Sequence, residues 1–173
     1  EIEWRLHQAF QFDRLIVTPH LLQEETGHVD LLLKLVDAQT VLVTQDTPKN
    51  LNSENLRKTA EIFRRELNAL GDPYTLIELP ALPRYYNWGV FSIWRSYTNS
   101  LTVNGRVLVP VYGEPADEVA LRTYEQAMPR HEVIPIDCRV GVNGGGAVHC
   151  MTKEVPKAQK KTTSVSDEVR NLD

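Results

Sequence analysis

Two cysteines among 173 residues, Cys138 and Cys150, are too few for a disulfide-framed fold. No apolar run approaches the length needed to cross a membrane as a helix, so no membrane partner is expected. Cationic residues are not in excess. Lys and Arg number 19 against 23 Asp and Glu, for a net charge of -4, which leaves no basic footprint for nucleic acid. The start, Glu1 to Leu6, is charged and helix-forming rather than signal-like, so a cytoplasmic location is the expectation. The chain begins at Glu1 and not at Met, which leaves room for an upstream segment. What remains is the composition of an ordinary water-facing domain, with enough apolar residues to bury a core.

Periodicity organises that core. Ile2, Leu6 and Ala9/Phe10 recur at helical spacing. Residues 14–18 (Arg-Leu-Ile-Val-Thr) read as a buried strand ended by Pro19. Residues 28–36 and 40–44 read as a hairpin joined by Asp37-Ala38-Gln39. Ser53 and Glu54 open an amphipathic helix carrying Leu56, Ala60, Phe63, Leu67 and Leu70, with Gly71 as its stop, and residues 74–79 follow as a strand. The pattern then recurs: strands at 96–103 and 106–112 about an Asn104-Gly105 turn, a helix over 117–128 with Val119, Leu121, Tyr124 and Met128 inward, and a strand over 132–137. Two ββαβ units with a fragment at either end follow from this internal repeat. Such units stack or close into a ring, because one unit cannot cover both faces of its own sheet. Residues 153–173 are rich in Lys, Thr, Ser and acids and read as a disordered tail.

Candidate chemistry concentrates at three places. Gly144-Gly145-Gly146 precedes Ala147-Val148-His149-Cys150. A thiol attacks only as thiolate, which needs a cation or hydrogen-bond donor beside it, and an inert buried thiol is the competing reading. Cys138, directly after the run Val133-Ile134-Pro135-Ile136-Asp137, reads as inert. His28 and Asp30 are two residues apart and would share a face on a strand, as a proton carrier and an anchor for a cation, or else stand as an ordinary strand end. Asn99 holds the equivalent place in the second unit and either faces the same axis or sits on a wet face. Trp88 and Trp94 flank a glycine and either wall a pocket or join the core. Residues 28, 30, 149 and 150 lack a closed metal-ligand spacing, so no metal and no cofactor is expected. The local signature of a papain-like protease is absent around Cys150.

Three ordered segments carry a resemblance: Thr26-Gly27-His28-Val29-Asp30, residues 97–105 (Tyr-Thr-Asn-Ser-Leu-Thr-Val-Asn-Gly), and residues 144–152 (Gly-Gly-Gly-Ala-Val-His-Cys-Met-Thr). Residues 112–121 and 133–137 add to it. Over about residues 10–155 the sequence resembles the agmatine deiminase and Porphyromonas-type peptidylarginine deiminase family. The resemblance implies a pseudo-fivefold α/β propeller of ββαβ units, incomplete here, with residues 1–155 as its C-terminal portion and 156–173 as tail. It implies hydrolysis of a guanidinium group to a ureido group and ammonia through a cysteine-linked intermediate. By the same resemblance, Cys150 is the nucleophile and His28 the proton carrier. Asp30 binds the guanidinium, Asn99 helps hold it, and Gly145 and Gly146 let the backbone approach it. The implied partner is a small cationic guanidine or an arginine peptide. Nothing matches the family's first half, so a missing N-terminal half or a second copy of the chain is expected to complete the site. Leu31 and the Thr98-Asn99-Ser100-Leu101 run lean toward the peptidylarginine-like branch or an uncharacterised sub-branch. The competing expectation is a non-catalytic binding or structural module, since propellers of this kind also serve without chemistry.

Overall fold

A computed structural model describes residues 1–48 and 50–157. The expected tail therefore lies, from residue 158 onward, outside the described residues. Helix α1 (Ile2–Phe10) opens the chain. A three-stranded sheet follows, with β1 (Leu33–Leu35) antiparallel to β2 (Thr40–Thr44) and β2 parallel to β3 (Thr75–Leu79). Helix α2 (Ser53–Arg65) makes the crossover between the parallel strands. A hairpin of β4 (Tyr85–Asn87) and β5 (Phe91–Ile93) comes next. The second sheet repeats the first: β6 (Leu101–Val103) antiparallel to β7 (Arg106–Val111), α3 (Asp117–Ala127), then β8 (Glu132–Asp137) parallel to β7. The sequence repeat is thus a structural one. Among the described residues these sheets do not close into a ring.

Burial explains why the units stack. Strand β2 is covered on both faces: Val41 and Val43 pack with Leu56, Ala60 and Phe63 of α2, while Leu42 faces the other way into a second cluster. That second cluster joins Leu42 and Leu79 to Val107 and Val109 of β7 and to Ala120 and Tyr124 of α3. Helix α3 therefore packs both on its own β8 and on β3 of the preceding unit. A parallel strand with apolar residues on both faces needs such double cover. Burying a side chain like Leu56 or Phe63 contributes about 1.5–3 kcal/mol.

Several expected elements take a different form. Residues 14–18 form no strand and are mostly exposed, because among the described residues no strand runs beside them; Arg14 instead pairs with Glu66. The strand expected over 28–36 survives only as Leu33–Leu35. Its first part winds into a 3-10 turn, Val29–Leu31, in which Leu31 N donates to His28 O and Leu32 N to Val29 O. Residues 96–100 are buried but not a strand. There the Ser96 and Thr98 hydroxyls bond each other at 2.6 Å, Thr98 N donates to Ser96 Oγ, and Ser100 N donates to Thr98 O. Short polar side chains that satisfy the backbone locally compete with a ladder in this way.

Helix α2 stops at Arg65, well short of Gly71. Asn68 Oδ1 accepts from Leu70 N and Asp72 N and pulls the chain into a turn, which leaves Leu67 and Leu70 exposed. In α3 the inward stripe is Ala120 and Tyr124 with Met128 after it. Val119, one position off that stripe, is exposed. The hairpin β4–β5 has no counterpart in the periodicity, because its turn places Trp88 at φ 51° beside Gly89 at φ 71°. An aromatic residue is an uncommon occupant of that left-handed position.

Candidate active site

Asn99 is the hub of the site. It is fully buried, and its side chain spends every polar atom on the residues around it. Its Oδ1 accepts from Ala147 N at 3.0 Å and Cys150 N at 3.3 Å, and its Nδ2 donates to Asp30 Oδ2 at 2.8 Å and Cys150 Sγ at 3.0 Å. His149 N also donates to Asn99 O. One amide therefore joins the 3-10 turn at His28–Leu31, the buried 96–100 segment, and the turn that carries Cys150. The alternative of an Asn on a wet strand face does not hold.

Cys150 is exposed and Cys138 is fully buried. Cys150 Sγ lies 3.7 Å from His28 Nδ1 and 3.5 Å from Asp30 Oδ2. His28 and Asp30 thus meet at one point, but across a 3-10 turn and not along one face of a strand. Asp30 Oδ2 also meets His149 Nδ1 at 2.6 Å, while Asp30 Oδ1 is buried with no partner among the described residues. Thr98 Oγ1 holds the backbone of the same residue, donating to Asp30 O at 2.8 Å. The anion is therefore firmly placed and only half satisfied.

Burial pushes the Cys150 thiol pKa up; the hydrogen bond from Asn99 opposes this, and the Asp30 charge adds to it. Withdrawal of a negative charge from Asp30, or arrival of a positive one, would favour the thiolate. Burial likewise raises the Cys138 pKa, with Asp137 adding, which suits an inert thiol.

Gly146 has a definite steric purpose. A Cβ built there would stand 2.3 Å from Cys150 Cβ and 2.7 Å from its Sγ. The space that a side chain at 146 would fill is taken by the nucleophile candidate itself, so this glycine makes room for Cys150. Gly145 is in the left-handed region at φ 95° and lines a cavity of about 800 Å³ together with Thr26, Arg84, Trp88 and Trp94. That cavity abuts both turns of the site through Thr26 and Gly145. Trp88 and Trp94 both wall it, and Trp88, 85% exposed, is not a core residue. Trp94 is tied down by donating to Leu31 O at 3.3 Å.

Four residues that sequence reasoning did not single out as site residues support this arrangement. His149 is bonded to Asp30, and its only sequence signal was its place beside Cys150. Lys34 donates to Ser100 O at 3.0 Å, and its pKa is lowered by burial while Asp30 and Glu154 oppose the shift. A lone Lys inside the run Leu31-Leu32-Leu33-Lys34-Leu35-Val36 was the available clue. Asp117 accepts from Tyr97 Oη and from the amides of Tyr112, Gly113 and Glu114, and so anchors the segment that presents Asn99. Arg95 pairs with Glu114 at 2.8 Å and stacks over Tyr85, joining the hairpin to that same loop.

Comparison with known proteins bears on the fold and the family. A solved structure from Porphyromonas gingivalis superposes with a TM-score of 0.83 at 32% identity, over 90% of this chain and 47% of that one. The agmatine deiminase of Enterococcus faecalis superposes with a TM-score of 0.81 over 90% of this chain and 48% of that one, at 20% identity, a likeness of fold. The mixed α/β arrangement of small sheets is therefore shared with solved deiminases. An agmatine deiminase of Pseudomonas fluorescens is 27% identical over 180 residues, 92% of this chain and 49% of that protein. The chain spans about half the length of the curated relatives it matches. The model of the Porphyromonas-type peptidyl-arginine deiminase family matches residues 1–156, and the chain belongs to that family.

Proposed function

We propose that this chain contributes the nucleophile and the proton carrier of a guanidine deiminase, which converts a guanidinium group to a ureido group with release of ammonia. The observation that carries the reading is the convergence of Cys150, His28 and Asp30 around the buried Asn99. Asp30 binds a guanidinium nitrogen through charge-assisted hydrogen bonds. The cation then offsets the carboxylate charge that holds the Cys150 thiol up, so binding itself favours the thiolate. The Cys150 thiol passes its proton to His28, and Sγ adds to the guanidinium carbon. His28 delivers a proton to one nitrogen as the C–N bond breaks and ammonia leaves, giving an amidino-thioether. His28 next takes a proton from water, whose oxygen attacks the same carbon. The C–S bond breaks, the hydroxyl proton passes to solvent as the C=O bond forms, the ureido product leaves, and the thiolate is restored beside a protonated His28. No cofactor or metal enters this sequence.

Residues 1–155 then form the C-terminal portion of a pseudo-fivefold α/β propeller, built incompletely by this chain. Two ββαβ units of the same strand order and a span of about half the relatives support that reading. The remaining pocket walls come from the rest of such a propeller or from a second copy. The relatives' names favour agmatine and the family's name favours peptidyl arginine, so both are candidate substrates. The test is ureido production from agmatine and from a blocked arginine peptide, with Cys150→Ala as control. Turnover absent in the control supports the reading, and the better substrate identifies the branch. Turnover unchanged in Cys150→Ala refutes it and returns the chain to a binding or structural role.

A further inference from the structure

The spacing of residues 28, 30 and 150 speaks against a metal in the sequence, yet the fold brings their donor atoms together. His28, Asp30 and Cys150 each offer one ligand atom, and these atoms lie within 4.8 Å of one another. The two distances to sulfur are 3.7 Å from His28 Nδ1 and 3.5 Å from Asp30 Oδ2. Zinc bonds of ordinary length at tetrahedral angles put S, N and O donors about 3.4–3.6 Å apart. Two edges of a tetrahedral face are therefore already near the length that zinc requires. The fourth corner falls on the open side of the site, since Cys150 and His28 are both exposed.

The surroundings fit a soft divalent cation as well. Thiolate, imidazole and carboxylate together form a ligand set that zinc accepts, and two anionic ligands would cancel its charge. His149 Nδ1, at 2.6 Å from Asp30 Oδ2, would orient the carboxylate ligand from outside, a placement typical of residues that tune metal affinity. We propose that His28, Asp30 and Cys150 form a reversible zinc site, and that zinc there competes with the guanidinium substrate. On binding, the Cys150 S–H bond breaks, a Zn–S bond forms and the proton goes to solvent. His28 ligates through a neutral ring nitrogen. The metal takes up the nucleophile, the proton carrier and the substrate anchor at once, so its effect is inhibition. Metal binding stands on the donor geometry alone, whereas the inhibitory consequence rests on the deiminase reading.

The test uses the chain in metal-free form, titrated with zinc by calorimetry and with cobalt(II) by absorption. One zinc per chain is expected, with a proton released and a thiolate-to-cobalt charge-transfer band. Cys150→Ser should abolish the band and weaken zinc at least about 100-fold, and His149→Ala should weaken zinc about 10- to 100-fold. Cys138→Ala should change neither. A band that persists in Cys150→Ser, or that vanishes in Cys138→Ala, overturns the proposal. A measurement free of variants guards against misfolding: saturating zinc should slow iodoacetamide alkylation of Cys150 at least about 10-fold, relieved by chelator. An unchanged alkylation rate overturns the proposal. If cobalt binding depends on Cys150 but the metal-free chain turns over neither guanidine, the zinc site is upheld and activity of this chain without the rest of the propeller is refuted. If turnover occurs and zinc leaves both it and alkylation untouched, the deiminase reading is upheld and the zinc site fails.

Discussion

Adding one methyl group at Gly146 is the sharpest perturbation that the site offers. The new Cβ would stand 2.3 Å from Cys150 Cβ, whereas carbon atoms in contact settle at about 3.5–4.0 Å. Residue 146 or Cys150, which share one turn, must move by about 1.2 Å or more to relieve the overlap. The overlapping atom of Cys150 is attached directly to its backbone, so a rotamer change cannot absorb the shift. Movement of Cys150 strains its bonds to Asn99, which span 3.0 Å at Sγ and 3.3 Å at the backbone N. Overpacking of this kind costs about 1–3 kcal/mol, or about 2–12 °C in Tm for a chain of this size. Displacement of a nucleophile by about 1 Å costs about 100-fold in rate.

Gly146→Ala should therefore lose about 100-fold in ureido production while remaining folded. Its Cys150 should also alkylate more slowly at neutral pH, because Asn99 no longer favours the thiolate. Gly144→Ala is the matched control, since a Cβ there meets nothing within 4 Å, and its stability should stay within about 0.5 kcal/mol of the parent. The assays are iodoacetamide kinetics resolved by peptide mapping, turnover, and a thermal melt. A Gly146→Ala protein with parental alkylation, turnover and Tm would refute the steric argument.

Three further outcomes follow from the same geometry. Burial and Asp30 hold the Cys150 pKa above that of a free thiol, so at any given pH less thiolate is present and the alkylation profile lies at higher pH than for free cysteine; Asp30→Asn removes the charge and should move the profile to lower pH, and a shift upward would contradict the stated cause. Asn99→Asp keeps the shape but replaces the Nδ2 donor by an oxygen facing Asp30 Oδ2 and Cys150 Sγ, so it should cost about 2–4 kcal/mol in urea unfolding and slow alkylation, whereas parental stability would show that the amide is not the hub. Asp117→Ala strips the acceptor from Tyr97 Oη and three backbone amides and should cost about 2–4 kcal/mol by the same measurement; a loss below about 0.5 kcal/mol would show that those donors find other partners.

The elements legible in the sequence are those whose burial is regular. Strand β8 and the Asn104-Gly105 turn stand where the pattern puts them, and β2 and β7 read clearly because both faces of each are apolar. Periodicity fails wherever local polar chemistry governs the backbone. Ser96 and Thr98 spend their hydroxyls on each other, on Thr44 and on Asp30 where a backbone ladder was expected, Asn68 turns the chain that two leucines would have continued as helix, and Trp88 occupies a turn position usually taken by Asn or Asp. The site was legible as a set of residue types and through a family likeness. Its geometry was not, because what gathers His28, Asp30 and Cys150 is one buried amide whose partners lie 48, 51 and 69 residues away. Nor could the triple glycine reveal which of its members is sterically obligatory.

The order in which these parts leave a ribosome gives the Asn99 hub a further consequence. His28 and Asp30 are made first, Asn99 well after them, and Cys150 last, 122 residues behind His28. Until the turn at residues 144–150 docks on Asn99, the growing chain holds a carboxylate and an imidazole but no thiol beside them. Cys150 then gains its place through the same contacts that report a correctly packed second unit. Completed folding thus holds the Cys150 thiol back until a cation reaches Asp30, and a partly made or misdocked chain would carry an ordinary thiol with more thiolate at neutral pH.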